Sequence, residues 1–325
     1  MRFLFRSLVG VLLATLAAVA IAQGADAAPK PIRIVHPYPG GAIDNITRVL
    51  ADRLKDRWGQ PIVVDPRPGA SEIVAADQVA KARPDGLTWF VGTESTFANN
   101  AFLFRKLPFD PAGDLVPVSE LFAVNFALIV RGDFPARTLQ EFIEYAKNSP
   151  GKIKYGSIGV GTGPHLAMED FARVVGIKGL IHVPYKAPPQ AVQDMLGGEI
   201  DVTLSTTQFA AAFVGTGKMR MLAVTGAARQ KDQPDVPTFR ELGLPAVSYR
   251  SAFGLAVPKG TPPEMIQKIY AGVHDVISAP DFQEKFLAPA GYELVASNPQ
   301  TFAQSMSARR QKSQKLITEL DIRID

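Results

Sequence analysis

The 325-residue chain contains no cysteine. That excludes a disulfide scaffold, a lipid-modified cysteine behind a leader and a thiol nucleophile, so burial of apolar surface has to supply the stability. Histidine is almost as scarce, with His36, His165, His182 and His274 the only four. His165 and Glu169 share an i,i+4 helix face, but no second histidine follows at metalloprotease spacing, so structural capping is expected there and no metal site. There is no Gly-x-Ser-x-Gly nucleophile elbow and no glycosidase-like acid pair, and no catalytic residue is assigned. Gly159-x-Gly161-x-Gly163 lacks both the dinucleotide spacing and a phosphate-binding lysine, so no nucleotide cofactor is expected. The formal net charge of +4 is spread in both signs along the chain. The basic run Arg309–Lys315 reads as a solvated helix face, and nucleic acid is not an expected partner. Beyond residue 27 no stretch approaches the roughly 20 apolar residues that a membrane span needs.

What is present begins with the layout of a secretory leader. Arg2 and Arg6 precede an apolar run from Leu8 to Ala22, and Ala25-Asp26-Ala27 offers small residues for cleavage. Residues 1–27 are therefore expected to be a signal peptide and the mature protein periplasmic. After it, short β-rich runs alternate with helical periodicity. Pro31–His36 reads as a strand, followed by a helix from Ile43 with Ile46, Val49, Leu50, Leu54 and Trp58 on one face. Phe126–Val130 reads as the strand opening a second series, and Thr138 with Glu141 forms a capping signature for the helix after it. The order predicts an α/β fold with mainly parallel sheets covered by helices. It also predicts two lobes, 28–125 with 226–325 and 126–225, around a ligand cleft, with the chain a monomer.

Two strand-to-helix loops carry the chemistry that can be read locally. Pro37-Tyr-Pro-Gly-Gly41 leads into a helix with Asp44 in its first turn, and Tyr155–Pro164 is a second glycine-rich loop of the same kind. Glycines let backbone approach a ligand, and free N–H groups at helix starts bind anions, so such a pair can hold a carboxylate without arginine. A third loop, Gly92–Asn100, supplies hydroxyls and amides where a parallel strand ends. Asp201 flanks a strand, either to receive a ligand amine or to cap a turn. Tyr38 or Phe97 offers a ring for an aromatic acid.

Several strings resemble the Bug receptors, the extracytoplasmic binding proteins of tripartite tricarboxylate transporters. They include Pro37-Tyr-Pro-Gly-Gly with Asp44, Arg67-Pro-Gly-Ala, Ala82-Arg-Pro-Asp-Gly-Leu-Thr88, Gly161-Thr-Gly-Pro-His-Leu-Ala167, His182-Val-Pro-Tyr-Lys186 and Pro258-Lys-Gly-Thr-Pro262. The likeness runs in order through the mature chain. It implies a two-lobed periplasmic-binding-protein (Venus flytrap, type II-like) fold that closes on a small di- or tricarboxylate and hands it to membrane transporter subunits. Carried over by position, the ligand-binding residues would be Tyr38, Gly40, Gly41, Asp44, Ser95 and Thr96 on one side. On the other they would be Ser157, Thr162, His165 and Asp201. The chain departs from the family pattern where Ser71-Glu72 replaces a frequent glycine pair, where Asn100 replaces a proline, and in a first loop one residue shorter. Two alternatives remain: a receptor that reports to a sensor kinase, and a periplasmic hydrolase or isomerase using Asp44, Asp201 and His165.

Overall fold

A computed structural model describes residues 30–230 and 233–324, so the leader assigned to 1–27 lies outside the described residues. Ten strands form one continuous, strongly divided sheet. Its first part holds β1 (Ile32–His36), β2 (Ile62–Pro66), β3 (Thr88–Thr93), β9 (Arg250–Pro258) and β10 (Tyr292–Leu294). Its second part holds β5 (Lys154–Ser157), β6 (Ile181–Pro184), β7 (Val202–Thr206) and β8 (Met219–Val224). Strand β4 (Leu115–Arg131) belongs to both. It pairs with β9 as far as Asn125 and with β7 from Phe126 onward, so its partners change between those two residues. Next to this point the Phe126 amide donates to Thr225 Oγ1 at 2.8 Å, tying the crossing strand to the segment that returns from β8.

The expected parallel character holds in strand direction and breaks at the seams. Strands β1 to β4 run together against β9 and β10, and β5 to β8 run together against β4. The pairings across β9 and β4 are consequently antiparallel. Strand β4 also starts eleven residues before the predicted Phe126, at Leu115. Pro117, which discourages a strand reading because it lacks an N–H, sits within it beside a register shift against β9. Strand β10, only three residues long, lies in a region that reads as helix from sequence.

Helices cover both faces. The helix α1 (Gly41–Trp58) buries Ile43, Ile46, Leu50 and Leu54 and stops at Gly59, whose left-handed backbone (φ 61°) ends it. Trp58 meets the fully buried Trp89 edge-on at 5.9 Å. The helix α2 (Ile73–Ala80) packs Ala75, Ala76 and Val79 on the other face. In the second lobe α3 (Leu139–Lys147), α4 (Gly163–Val175) and α5 (Pro188–Gly197) take the same role. They are followed by α6 (Pro263–Ile277) and the long α7 (Pro299–Glu319) on the first lobe.

Thr138 caps α3 as its sequence signature predicts: its Oγ1 accepts from the Glu141 amide at 3.2 Å, while Glu141 accepts from the Arg137 amide at 2.6 Å. Thr138→Ala is expected to lower unfolding stability by about 1 kcal/mol, the usual worth of such a cap. Urea melts of the variant and parent, with unchanged m-value, would show it; an unchanged midpoint would deny the cap that role.

Candidate functional site

A cavity of about 910 Å³ opens between the two parts of the sheet. Its wall is reached by Tyr38 after β1, Ser71 after β2, Ser95 after β3, Ile158 after β5 and Thr206 at the end of β7. Parallel strands thus deliver their carboxyl ends to one place, where the loops are free to carry ligand groups. Phe126, Phe253 and Tyr292 give the cavity an aromatic floor.

On the first-lobe side the chain takes an uncommon path. Ala70, Ser71 and Glu72 are three successive non-glycine residues at positive φ (44°, 51° and 76°). Such backbone costs of order 1 kcal/mol or more per residue and persists only when its surroundings hold it. Glu72 does the holding. Its carboxylate accepts from Tyr38 and from Thr93 Oγ1, and also from the Thr93 amide at 3.1 Å and Thr96 Oγ1 at 2.7 Å. Asn100 secures the same turn by donating from Nδ2 to the Ser71 carbonyl at 2.8 Å. Burial, and then the charge of Glu72, raise the Tyr38 phenol well above its ordinary value, so it remains a donor.

A second buried acid, Glu94, stands beside it. It accepts from Ser251 Oγ at 3.1 Å, the Ala252 amide at 3.0 Å and Tyr249 at 3.3 Å. Burial raises its pKa, and the charge of Arg309 offsets this in part.

The second-lobe side is built around α4. Its N-cap, Thr162, makes no side-chain cap; the hydroxyl donates instead to the Gly159 carbonyl at 2.7 Å. Pro164 has no N–H to satisfy, and the remaining first-turn amides are left beside the cavity, a helix end suited to an anion. The loop before it is pinned from below. The Gly161 amide donates to His165 Nδ1 at 2.9 Å, which places the imidazole proton on Nε2. His165 stacks on His182 at 4.0 Å and 6°, and His182 stacks on Tyr155 at 4.8 Å. Burial depresses His165 to about 3, with the neighbouring His182 adding to it, and burial depresses His182 to about 4.

The residues singled out from sequence therefore divide. Tyr38, Ser95 and Thr162 line the cavity, whereas Gly40, Gly41, Asp44, Thr96, Ser157, His165 and Asp201 do not. Gly40 and Gly41 are exposed at the start of α1. Asp44 turns back onto His36 at 3.1 Å, the Gly40 amide at 3.2 Å and Arg48 at 3.2 Å. Burial would raise its carboxyl, but the bond to Arg48 and the other partners hold it below the usual range. Thr96 is bound under Glu72, and Ser157 Oγ lies 2.7 Å from His182 Nε2, both beneath the surface. Asp201 sits at the amino end of β7, away from the end that meets the cavity, and binds Arg131 at 3.0 Å and the Lys154 amide at 2.9 Å. Phe97 packs into the core on Phe90 and Phe302. The set required by the enzymatic alternative is not assembled, since Asp44, Asp201 and His165 each have separate partners.

Sequence reasoning passed over Glu72, Glu94 and Asn100. The signal was there for two of them, in the departures Ser71-Glu72 and Asn100. Glu94 lies inside the third loop, read for its hydroxyls and amides, and its partners Ser251 and Ala252 are more than 150 residues away in the chain.

The family model described as tripartite tricarboxylate transporter family receptor matches residues 46–322. A curated relative from Cupriavidus necator, a UPF0065 protein of the gbd 5′ region, is 36% identical and aligns with 94% of this chain and 93% of its own. Among solved structures, Rpa4515 of R. palustris with adipate superposes with a TM-score of 0.78 at 30% identity, over 89% of this chain and 97% of that one. MatC from Rhodopseudomonas palustris with bound malate gives a TM-score of 0.76 at 27% identity, over 89% and 99%. The two-lobed fold, the cleft at the strand ends and these matches agree, and the chain belongs to the tripartite tricarboxylate transporter receptor family of periplasmic solute-binding proteins.

Proposed function

We propose that this protein is an extracytoplasmic receptor that captures a small organic acid in the interlobe cleft and delivers it to a tripartite tricarboxylate-type transporter. The observation that carries the reading is the cavity itself: both lobes wall it, and the uncapped start of α4 faces it at Thr162 and Gly163. A carboxylate there takes backbone N–H groups and the favourable end of the helix dipole. A ligand bridging the two walls stabilises the closed arrangement, which is the state a membrane partner would read. The relatives that hold adipate and malate support an acid of a few carbons. The reading includes export to the periplasm behind residues 1–27, a monomer, no cofactor and no turnover. Its lobes are 28–125 with 226–325, and 126–225. Of the residues carried over from the family, Tyr38, Ser95 and Thr162 are those proposed to touch ligand. The others are proposed to support the loops that do.

The test is a thermal-shift and calorimetric screen of the mature protein against mono-, di- and tricarboxylates, amino acids and carboxamides. At 100 times Kd a ligand adds about 2.7 kcal/mol to native stability, a clear shift. No shift from any acid, with protein refolded free of ligand, would overturn the receptor reading.

A further inference from the structure

The cavity is acidic. Glu72 and Glu94 are both in its wall, 7% and 4% exposed, and among the described residues no lysine, arginine or histidine lines it. Arg309, behind Glu94, is paired with Glu120 at 3.0 Å. Glu72 has its acceptor positions occupied by Tyr38, Thr93 and Thr96, so it acts on the cavity through charge. A different group is short of a donor: Asn100, buried in the same wall, gives Nδ2 to Ser71 and leaves Oδ1 with no partner among the described residues. A buried acceptor without a donor is costly, and a ligand N–H reaching this wall would satisfy it.

From these observations, and resting on the receptor reading above, we infer that the ligand is a carboxylate that also carries nitrogen. It is a zwitterionic amino acid or a carboxamide acid, with its carboxylate at the start of α4 and its ammonium or amide N–H groups toward Glu72, Glu94 and Asn100. A dianion of the same length would bring its second carboxylate against two buried acids in a wall that presents no cation among the described residues, an arrangement that works against binding. Specificity would thus come from a repulsive element as much as from an attractive one. Glu72 and Glu94 are specificity-determining through the field they set, and Asn100 through its free acceptor.

The experiment compares matched probes by calorimetry on the mature protein at pH 7.5: adipate, adipic monoamide and 6-aminohexanoate, then succinate, succinamate and 4-aminobutanoate. Within the length that binds, a nitrogen-bearing probe is expected to bind at least about tenfold tighter than the dicarboxylate. Glu72→Gln is expected to narrow that ratio by about tenfold, and Glu94→Gln serves the same purpose if the first variant fails to fold. A dicarboxylate that binds as well as or better than both nitrogen-bearing partners overturns the inference and leaves the receptor reading standing. Failure of all six probes, and of the wider acid screen, removes the receptor reading and this inference together.

Discussion

Gly161→Ala is expected to weaken ligand binding by at least about tenfold while costing the fold roughly 1–3 kcal/mol. Gly161 lies in the loop before α4, at φ +74°, and meets the other lobe. A Cβ built there would fall 2.4 Å from Leu103 Cδ1 and 3.2 Å from Ile324 Cδ1. Leu103 has little room to yield. It is 2% exposed and packed with Leu166, Leu316 and Ile317, and the Ile324 amide donates to its carbonyl at 2.9 Å. The added methyl is therefore a wedge between lobes that also meet through the ion pair of Lys312 on α7 with Asp170 on α4 at 2.7 Å. A closed state made less populated lowers apparent affinity by the same fraction. Two companions separate this from a generic left-handed-backbone penalty. Gly217→Ala, at φ +71° with nothing within 4 Å of its Cβ, should leave affinity unchanged. Leu103→Ala in the Gly161→Ala background should recover most of the lost binding. If the single variant binds like the parent, or the double variant fails to recover, the seam at Gly161 does not limit closure.

The seam shows what local sequence could and could not convey. Glycine at 161 was legible as a loop residue near a helix start, because composition alone marks a tight strand-to-helix turn. Its contact with Leu103 and Ile324 was not, since the partners lie far away in the chain. The same division runs through the fold. The elements with strong period, such as α1 with Ile46, Leu50 and Leu54, and the capped α3, were readable. The long β4 was readable only in its second half, because Pro117 interrupts the first half and pairing with β9 overrides that local signal. In the site, loops were found more readily than side chains. The resemblance pointed to Thr96, Ser157 and His165, which stand behind the cavity lining on Glu72, His182 and the Gly161 amide. Glu72 and Glu94, which do reach the cavity, are acids in a place where the expected ligand is also an acid. Nothing local marks them as wall residues, because partners such as Tyr38 for Glu72, and Ser251 and Ala252 for Glu94, come from distant parts of the chain.

The stacked imidazoles of His165 and His182 lead to the other large effect, a loss of stability in mild acid. Both groups have folded-state pKa values far under the ordinary 6.5, about 3 and about 4. Between those values and 6.5 the unfolded chain binds more protons than the native protein, so stability must fall as pH falls through that window and level off only below it. At pH 5 a shift of this size amounts to about 2 kcal/mol for His165, at ~1.36 kcal/mol per unit, and to nearly as much for His182, since both folded values lie below that pH. Against a typical reserve of about 5–15 kcal/mol that is a substantial fraction. The cause is burial first, and for His165 the stacked neighbour adds to it. One proton added to the pair faces a second ring 4.0 Å away, and a charge on His165 also removes the Nδ1 acceptor that the Gly161 amide uses. His36, likewise lowered chiefly by burial, adds to the same trend. Glu94 works in the opposite direction, because a carboxyl raised by burial favours the folded state once pH drops toward its own value. The pair's contribution is isolated by difference. Thermal or urea stability of the parent and of His165→Gln, which keeps an acceptor for the Gly161 amide, would be followed from pH 7.5 to 4.5. The parent should lose roughly 2.5–3 kcal/mol more than the variant over that range, at ~1.36 kcal/mol per unit. Parallel curves would mean that His165 titrates as it does in water, and that the loop at the start of α4 is not held by a neutral imidazole.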